Sequence, residues 1–283
     1  MSRVLVLGSS GQIGAYLSSY LKDKGHEVID YDIELGTHYD LRVMPSSYFE
    51  GEVRKSDFIF FLAFDVGGSR YLKKYQHTFD FIHNNSRIMV NAFDYIKRYE
   101  KPFVFASSQM SNMGHSPYGV LKNVGELYTK SLNGLVVKFW NIYGIEKDMD
   151  KSHVITDFIK KGFETGTIDM ITDGTEEREF LYAEDCCEAL DTVMCKYSEF
   201  SSSDNLHITS AVSTSILEIA RTIQLYFGGI QKEVKIVPSE EKDEVQKDAR
   251  NIADPYFLKW WQPKTSVVHG IGKVFNEMNN DKG

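Results

Sequence analysis

The chain has 283 residues, of which 42% are hydrophobic and 13% aromatic, so it is long enough to bury a full core. Its net charge of -8 argues against a nucleic-acid-binding surface, which needs clustered Lys and Arg. An anionic small molecule stays compatible with this charge, because a few local donors can bind phosphate in an acidic protein.

Cysteine usage and hydropathy favour a cytoplasmic protein that does not cross a membrane. The three cysteines (Cys186, Cys187 and Cys195) lie in one short segment without metal-ligand spacing, so we expect reduced thiols around a helix. Only four apolar residues separate Arg3 from Gly8, too few for a secretory signal. The longest apolar run, residues 58–64, is far too short to span a bilayer.

The first half of the chain alternates short apolar runs with amphipathic stretches, a pattern typical of a parallel sheet covered by helices. Strands are predicted at residues 4–7, 27–32, 58–64, 103–106 and 135–140. One intervening helix is predicted through Ile82, Ile88, Val90 and Phe93. The sequence therefore predicts an α/β fold with a doubly wound parallel sheet.

The pattern changes after about Gly144, where charges increase and the strand-helix alternation weakens. We expect a smaller C-terminal α/β lobe there, interleaved with the last strands of the sheet and without a flexible linker. The charge run at residues 240–247 is interpreted as a solvated loop or helix face.

A glycine-rich segment, Gly8-Ser9-Ser10-Gly11-Gln12-Ile13-Gly14, joins the first strand to the first helix. Glycine permits the tight turn, the approach of a pyrophosphate to bare backbone and the close packing of helix on strand. The helix start offers free N–H groups to the phosphates. Asp32 ends the second strand, where a carboxylate accepts hydrogen bonds from a ribose diol and repels a 2′-phosphate. The segment predicts a dinucleotide site that prefers NAD; Asp30 is a rival to Asp32.

A second motif, Tyr118-Gly119-Val120-Leu121-Lys122, opens a helical pattern. Tyr118 and Lys122 are four residues apart and so lie on one helix face. A nearby ammonium and a positive nicotinamide ring lower the pKa of a phenol toward that of a usable base. Ser108 comes at the end of the preceding strand, where it could hold a substrate oxygen. The three residues are our candidate catalytic group.

These motifs together resemble the extended short-chain dehydrogenases that modify nucleotide sugars. The resemblance rests on the glycine loop, Asp32, the Tyr-Lys pair and further short matches: Asp40-Leu41, Leu62-Ala63, Ser107-Ser108, Asn141-Ile142-Tyr143-Gly144, Asp173-Gly174, Arg178-Glu179-Phe180 and Ala183-Glu184-Asp185. It implies a Rossmann domain at residues 1–144 that binds NAD and a lobe at residues 145–283 that mainly binds the nucleotide sugar. It also implies a homodimer.

The resemblance assigns further residues. Asp40 and Leu41 would flank the adenine, and Leu62 and Ala63 would line the cofactor cleft. Asn85 would be a structural or cofactor-side asparagine. The substrate contacts would come from Ser108, Gln109, Asn141 and Arg178, with Arg250 as a weaker candidate for the phosphates. Asn141 could instead cap a turn, and Arg178 could pair with Glu176 or Asp185.

Departures from the family pattern narrow the reaction. Related 4,6-dehydratases carry an Asp-Glu pair where this chain has Gln109-Met110, which argues against dehydration. The residues Val66-Gly67-Gly68 resemble the GDP-sugar branch of the family, in which a cysteine follows the Ser-Ser pair and moves a carbon-bound proton. This chain has Gln109 at that position, and an amide cannot act as an acid or base, so 3,5-epimerisation is also disfavoured. Glu146 stands near the position of the histidine of GDP-fucose synthase.

Oxidation at C4 of the sugar is the reaction that these departures leave. The sequence favours a 4-epimerase over the alternatives of a net C4 dehydrogenase or a 4-ketoreductase. The resemblance at Val66-Gly67-Gly68 implies a GDP-linked sugar, such as a GDP-heptose. A non-catalytic NAD-binding protein is a further alternative. No metal site is predicted, because the eight histidines are scattered. His115 is the only one close in sequence to the proposed chemistry.

Overall fold

The structure is a computed structural model and describes residues 1–43, 46–146, 148–246 and 252–280. Its centre is a six-stranded, all-parallel sheet with the strand order β10-β5-β4-β3-β1-β2. The strands are β1 (Arg3–Leu7), β2 (Glu27–Tyr31), β3 (Phe58–Phe61), β4 (Phe103–Ser108), β5 (Leu135–Phe139), β6 (Ile142–Tyr143), β7 (Thr167–Asp169), β8 (Glu177–Glu179), β9 (Leu181–Tyr182), β10 (Leu206–Ile208), β11 (Ser213–Ser215) and β12 (Lys235–Val237).

Helices cover both faces of this sheet, as the predicted doubly wound α/β fold requires. The helices are α1 (Gln12–Asp23), α2 (Ser47–Lys55), α3 (Ser69–Tyr75), α4 (Phe79–Tyr99), α5 (Pro117–Ser131), α6 (Val154–Thr165), α7 (Ala183–Cys195), α8 (Ile216–Gly229) and α9 (Val267–Asn280). Side chains of α1 and α7 pack on one face, and those of α2, α4 and α5 pack on the other. Burial on both faces explains why the central strands are apolar throughout.

The predicted strand at residues 58–64 ends earlier, at Phe61. Leu62 still donates its backbone N–H to the carbonyl of Leu7, at 2.9 Å. The chain then leaves the sheet, so that Leu62, Ala63 and Phe64 line a cavity at its carboxyl edge. The apolar run therefore serves two purposes, since its last three residues are cavity wall and its first four are core.

Helix α4 is present where predicted, but only two of the four apolar residues used to predict it face the core. Ile88 and Phe93 are buried, whereas Ile82 and Val90 are exposed. The buried positions step by three or four residues from Phe81 through the polar Asn85 to Ile88. A buried asparagine interrupts the apolar pattern, and for that reason the hydrophobic residues alone indicated the wrong stripe.

The second half of the chain forms a third apolar core around α6, α8 and α9. It also supplies β10, which pairs with β5 and completes the central sheet. Cys186 and Cys187 are buried on α7, Cys195 is exposed, and all three are free thiols. Among the described residues, no helix combines the length and the apolar character needed to span a membrane.

Candidate active site

The loop between β1 and α1 is shaped by its glycines. Gly8 has a φ of +89°, and a Cβ there would lie 2.7 Å from the backbone nitrogen of Ala63. A Cβ on Gly14 would lie 2.0 Å from the carbonyl oxygen of Gly8, so helix and strand touch backbone to backbone. Helix α1 begins without a side-chain cap, which leaves the first-turn N–H groups for a ligand.

Gln12 and Ile13 stand at this helix start and line the cavity together with Gly8, Gly11 and Gly14. The side-chain nitrogen of Gln12 is buried and has no hydrogen-bond partner among the described residues. A buried amide of this kind requires a partner, which a bound dinucleotide would provide. The residues present therefore fit the pyrophosphate of such a cofactor.

Asp32 lies at the end of β2 and lines the same cavity. Its carboxylate accepts hydrogen bonds from the backbone N–H groups of Ser10 (2.9 Å) and Glu34 (3.0 Å), so it is held against the glycine loop. Asp30 does not line the cavity and instead pairs with Lys22 at 2.6 Å. Of the two rivals, Asp32 is the one in position for a ribose.

Asp40 and Leu41 form the next part of the wall. The Arg42 guanidinium hydrogen-bonds both carboxylate oxygens of Asp40 at 2.9 Å, and these bonds hold the pKa of Asp40 below its usual value. Leu41 is buried, and Asn91 donates a 2.7 Å hydrogen bond to its carbonyl. The segment is thus fixed in place where the family resemblance expects an adenine.

Asn85 is structural in this protein. It is fully buried, accepts a hydrogen bond from the backbone N–H of Asp65 (2.7 Å) and donates to the carbonyls of Asp65 (3.0 Å) and Phe81 (2.9 Å). These bonds tie the loop that follows β3 to α4. Asn85 therefore shapes the cofactor cleft from behind.

The cavity has a volume of about 1540 Å³ and extends from the glycine loop to Arg178. A pocket for one small ligand usually has roughly 300–1,000 Å³. The space is therefore sufficient for a dinucleotide and a second ligand side by side.

Ser108, Tyr118 and Lys122 meet in the middle of this cavity, and all three are buried. Ser108 is the last residue of β4, and Tyr118 and Lys122 lie one turn apart on α5. Ser116 caps this helix by accepting the N–H of Gly119, at 3.2 Å. The Lys122 ammonium donates to the carbonyl of Ala106 at 2.7 Å and lies 3.8 Å from the ring centre of Phe64.

Burial shifts both titratable members of this group away from the charged form. It raises the pKa of Tyr118 to about 12, against a hydrogen bond from Ser108 that lowers it. It also lowers the pKa of Lys122 to about 7, against the negative charge of Glu126 that raises it. The side chains alone therefore do not give a phenolate at neutral pH, and a further positive charge next to Tyr118 is needed.

The other substrate candidates line the same cavity, but they contact the chain itself. Gln109 is buried and donates to the side-chain oxygen of Gln246 at 2.7 Å. Arg178, on β8, pairs with Asp243, and not with Glu176 or Asp185. Asn141 has a positive φ of 41°. The remaining candidate, Arg250, lies outside the described residues.

Residues 239–246, here called the closing segment, lie along the end of the cavity that contains Arg178. Ser239 donates its backbone N–H to Thr172 at 3.0 Å, and Lys242 pairs with Asp173. Asp243 accepts hydrogen bonds from the N–H groups of Val245 and Gln246 while it pairs with Arg178. The interpretation of residues 240–247 as a solvated loop holds for Glu241, Lys242 and Glu244, which are exposed. It missed that Asp243, Val245 and Gln246 are half-buried and that residues 241–246 line the cavity.

Sequence reasoning missed the pair formed by Glu146 and His153. The two side chains line the cavity and are joined by a 2.6 Å contact between Nδ1 of the imidazole and the carboxylate. Burial alone would lower the pKa of His153, but the carboxylate raises it above its usual value. His77 and His115 also line the cavity wall, so proximity to Tyr118 in sequence found His115 but missed His77 and His153. Loops from distant strands converge at this edge of the sheet.

The sequence profile of the NAD dependent epimerase/dehydratase family matches residues 4–208, and the chain is an enzyme of this family. Its cofactor is NAD, and the family acts on nucleotide sugars. A putative UDP-glucose 4-epimerase of Methanocaldococcus jannaschii is 25% identical over 98% of this chain and 99% of its own.

Solved structures show the same fold at lower identity. An epimerase from Methanothermobacter thermautotrophicus superimposes with a TM-score of 0.82 at 19% identity, over 99% of this chain and 93% of that one. A GDP-6-OMe-4-keto-L-xylo-heptose reductase from C. jejuni gives a TM-score of 0.80 at 17% identity, over 100% and 98% of the two chains.

Proposed function

We propose that this enzyme oxidises C4 of a nucleotide-diphosphate sugar and acts as a sugar 4-epimerase. The observation that carries the proposal is the meeting of Ser108, Tyr118 and Lys122 in a cavity that also contains the dinucleotide loop. An amide, Gln109, follows Ser108 where a dehydratase would need an acid. Tyrosine and serine can move and hold the hydroxyl proton that C4 oxidation releases.

The proposed roles follow from position. Tyr118, as the phenolate, takes the proton of the C4 hydroxyl, and the Lys122 ammonium stabilises that phenolate. Ser108 donates a hydrogen bond to the C4 oxygen from which the proton has left. Bound NAD would supply the oxidant for C4 and a positive ring charge near Tyr118. For inversion, the keto sugar would turn over in the cavity and take the hydride back on its other face, while the same tyrosine returns the proton to its oxygen.

The substrate end would be formed by Gln109, Asn141 and Arg178, all of which line the cavity. Arg178 supplies the cation that a diphosphate requires, and the two amides suit sugar hydroxyls. In this proposal residues 1–144 bind NAD, and residues 145–283 mainly bind the nucleotide sugar.

Incubation with a panel of UDP-, GDP- and dTDP-sugars, followed by NADH absorbance and product NMR together, tests the reaction. Inversion at C4 without net NADH is the expected result. Accumulation of NADH or of a keto sugar would instead identify a net C4 dehydrogenase or, in reverse, a 4-ketoreductase. Loss of water would contradict the argument from Gln109, and inertness with every sugar would favour a non-catalytic NAD-binding protein.

We also propose that the enzyme is a homodimer joined through α4 and α5. Both helices expose large apolar side chains, among them Phe79, Ile82, Val90, Val120 and Leu127. Leu127→Glu should then convert the dimer to a monomer in light scattering. Leu225→Glu, at an exposed leucine of α8, is the matched control and should leave the mass unchanged. A monomeric parent protein would contradict the proposal.

A further inference from the structure

A buried carboxylate lies on α5 directly beyond the catalytic pair. Glu126 comes one helical turn after Lys122 and is 5% exposed, while Lys122 is 4% exposed. Residues four apart on a helix have Cβ atoms roughly 5–6 Å apart, on one face. The mechanism proposed above does not use Glu126, although a buried acid is costly unless it is paired and hydrogen-bonded.

Two strands meet this carboxylate from below. Ser107 of β4 donates a 2.6 Å hydrogen bond to Oε1 of Glu126, and Nζ of Lys138 on β5 lies 3.3 Å from the same oxygen. Ser107 and Lys138 are partners in the register of the two strands, so both side chains arrive at one level of the sheet. The carboxylate is thus held in a single position by the sheet on which α5 packs.

Lys122 is tied to the same strand one residue earlier, through its 2.7 Å hydrogen bond to the carbonyl of Ala106. Helix α5 therefore has two adjacent polar attachments to β4, one through Lys122 and one through Glu126. Around the Lys122 ammonium the described residues also place three aromatic rings, those of Phe64, Phe105 and Tyr118. The rings attract the cation and the Ala106 carbonyl accepts its hydrogen bond, but none of these groups carries a full negative charge.

We propose, on the basis of the C4 oxidation described above, that Glu126 is a positioning residue for the catalytic pair. Its carboxylate, anchored by Ser107 and Lys138, provides the fixed negative charge that keeps Lys122 an ammonium and keeps that ammonium next to Tyr118. Lys138 limits this effect, because it neutralises part of the Glu126 charge from the opposite side.

The charged and titratable groups that face this site are few. Tyr118 and Glu126 belong to α5, Lys138 to β5 and His207 to β10. Burial first, and the charge of Lys138 second, lower the pKa of His207 to about 4, so this imidazole is neutral at neutral pH. Asp65, in the loop that carries Phe64, is held by Tyr71 and Lys151. Among the groups that α5, β5 and β10 direct toward Lys122 in the described residues, Glu126 is thus the negative charge that acts on it.

The sign of the effect follows from the charges. Burial lowers the pKa of Lys122 to about 7, and Glu126 opposes that fall. Removing the carboxylate should lower the pKa of Lys122 further, so that the ammonium is lost at a lower pH. Removing Lys138 should do the opposite, because Glu126 then acts on Lys122 with its full charge.

The test is a titration of Lys122 by NMR in NAD-free protein labelled with [6-13C]lysine, with the Lys122 resonance identified by its loss in Lys122→Met. Glu126→Gln should lower the midpoint by about one pH unit. Glu126→Asp keeps the negative charge, so its midpoint should lie close to that of the parent. Lys138→Met should raise the midpoint, and this variant tests the proposal by itself if Glu126→Gln does not fold.

Thr129→Val is the matched control, because it removes a buried hydrogen bond one turn further along α5 (Thr129 Oγ1 to Gly125 O, 2.7 Å) without changing a charge. Its midpoint should equal that of the parent even if the fold is weakened. Superimposed titrations of Glu126→Gln and the parent, or a Lys138→Met midpoint that does not rise, would overturn the proposal. No sugar is needed, so failure of the C4 reaction leaves this result readable; where turnover is found, the alkaline limb of its pH profile should follow the same shifts.

Discussion

The two ends of the cavity are built in different ways. The proposed cofactor end depends on backbone contacts, because Gly8 and Gly14 allow the loop, the helix and the strand to touch without side chains between them. These three elements are consecutive in the sequence. The substrate end is made of side chains that come from distant segments, with Gln109 on Gln246 and Arg178 on Asp243. The first end is preformed, whereas at the second the candidate ligand-binding groups already have partners within the chain.

The largest expected effect lies at the junction of the two ends. Tyr118→Phe removes the proposed base and should lower turnover roughly 100- to 10,000-fold, while NAD binding, measured by calorimetry, stays near that of the parent. Tyr128→Phe alters an exposed tyrosine of the same helix and is the control. A near-normal turnover rate in Tyr118→Phe would contradict the role of Tyr118 as the base.

Gly14→Ala should disrupt the backbone contact between the start of α1 and the glycine loop at the cofactor end. The added Cβ would lie 2.0 Å from the carbonyl oxygen of Gly8. We expect unfolding by denaturant to show a loss of about 1–3 kcal/mol, together with weaker NAD binding. Gly51→Ala, at a helical glycine with open space around it, should show neither change. A tight-binding, stable Gly14→Ala protein would mean that the loop is less constrained than described.

Asp32→Ala tests the electrostatic part of the same end. Two like charges about 4 Å apart repel by about 1 kcal/mol in bulk water and by more in a cleft. The preference for NAD over NADP, taken from the two dissociation constants, should therefore narrow by about tenfold. Asp30→Ala is the control, since Asp30 pairs with Lys22 away from the cavity. Equal binding of NAD and NADP by the parent would refute this reading of Asp32.

Asp243→Asn has the smallest expected effect and addresses the substrate end. It frees Arg178 from its partner on the closing segment, so KM for the nucleotide sugar should fall about two- to fivefold, the range of a partly exposed ion pair. NAD binding should not change. Asp173→Asn, which removes the partner of the exposed Lys242, should have less effect on KM. A raised KM in Asp243→Asn would mean that the closing segment orders Arg178 and does not compete for it.

Sequence reasoning reached most of the fold and the cofactor end because both depend on local patterns. The central strands are buried on both faces and read as unbroken apolar runs, and the glycine loop needs its three glycines within seven residues. The predicted NAD cofactor and family were confirmed by the family profile. The assignments of individual site residues stay predictions.

Long-range contacts were out of reach. Nothing in the spacing of Glu146 and His153 indicates that they share a wall with Tyr118, and nothing in a run of charges indicates that Asp243 lies on Arg178. Helix α4 shows the same limit on a small scale, since the buried Asn85 is understood only once the loop that it holds is seen. Contacts such as that of Arg178 with Asp243, 65 residues apart, depend on how the whole chain packs, which a linear pattern does not contain.

The position of β10 has a consequence for how the protein is made. This strand is 67 residues beyond β5 in sequence and covers its outer edge, with Leu206 opposite Val137 and Ile208 opposite Phe139. While the ribosome has not yet released Leu206–Ile208, the nascent chain ends its sheet at β5 with unpaired backbone groups and apolar neighbours. Such an edge favours pairing with other chains. We therefore expect the edge of β5 to be open to such pairing until the second half of the chain has been synthesised.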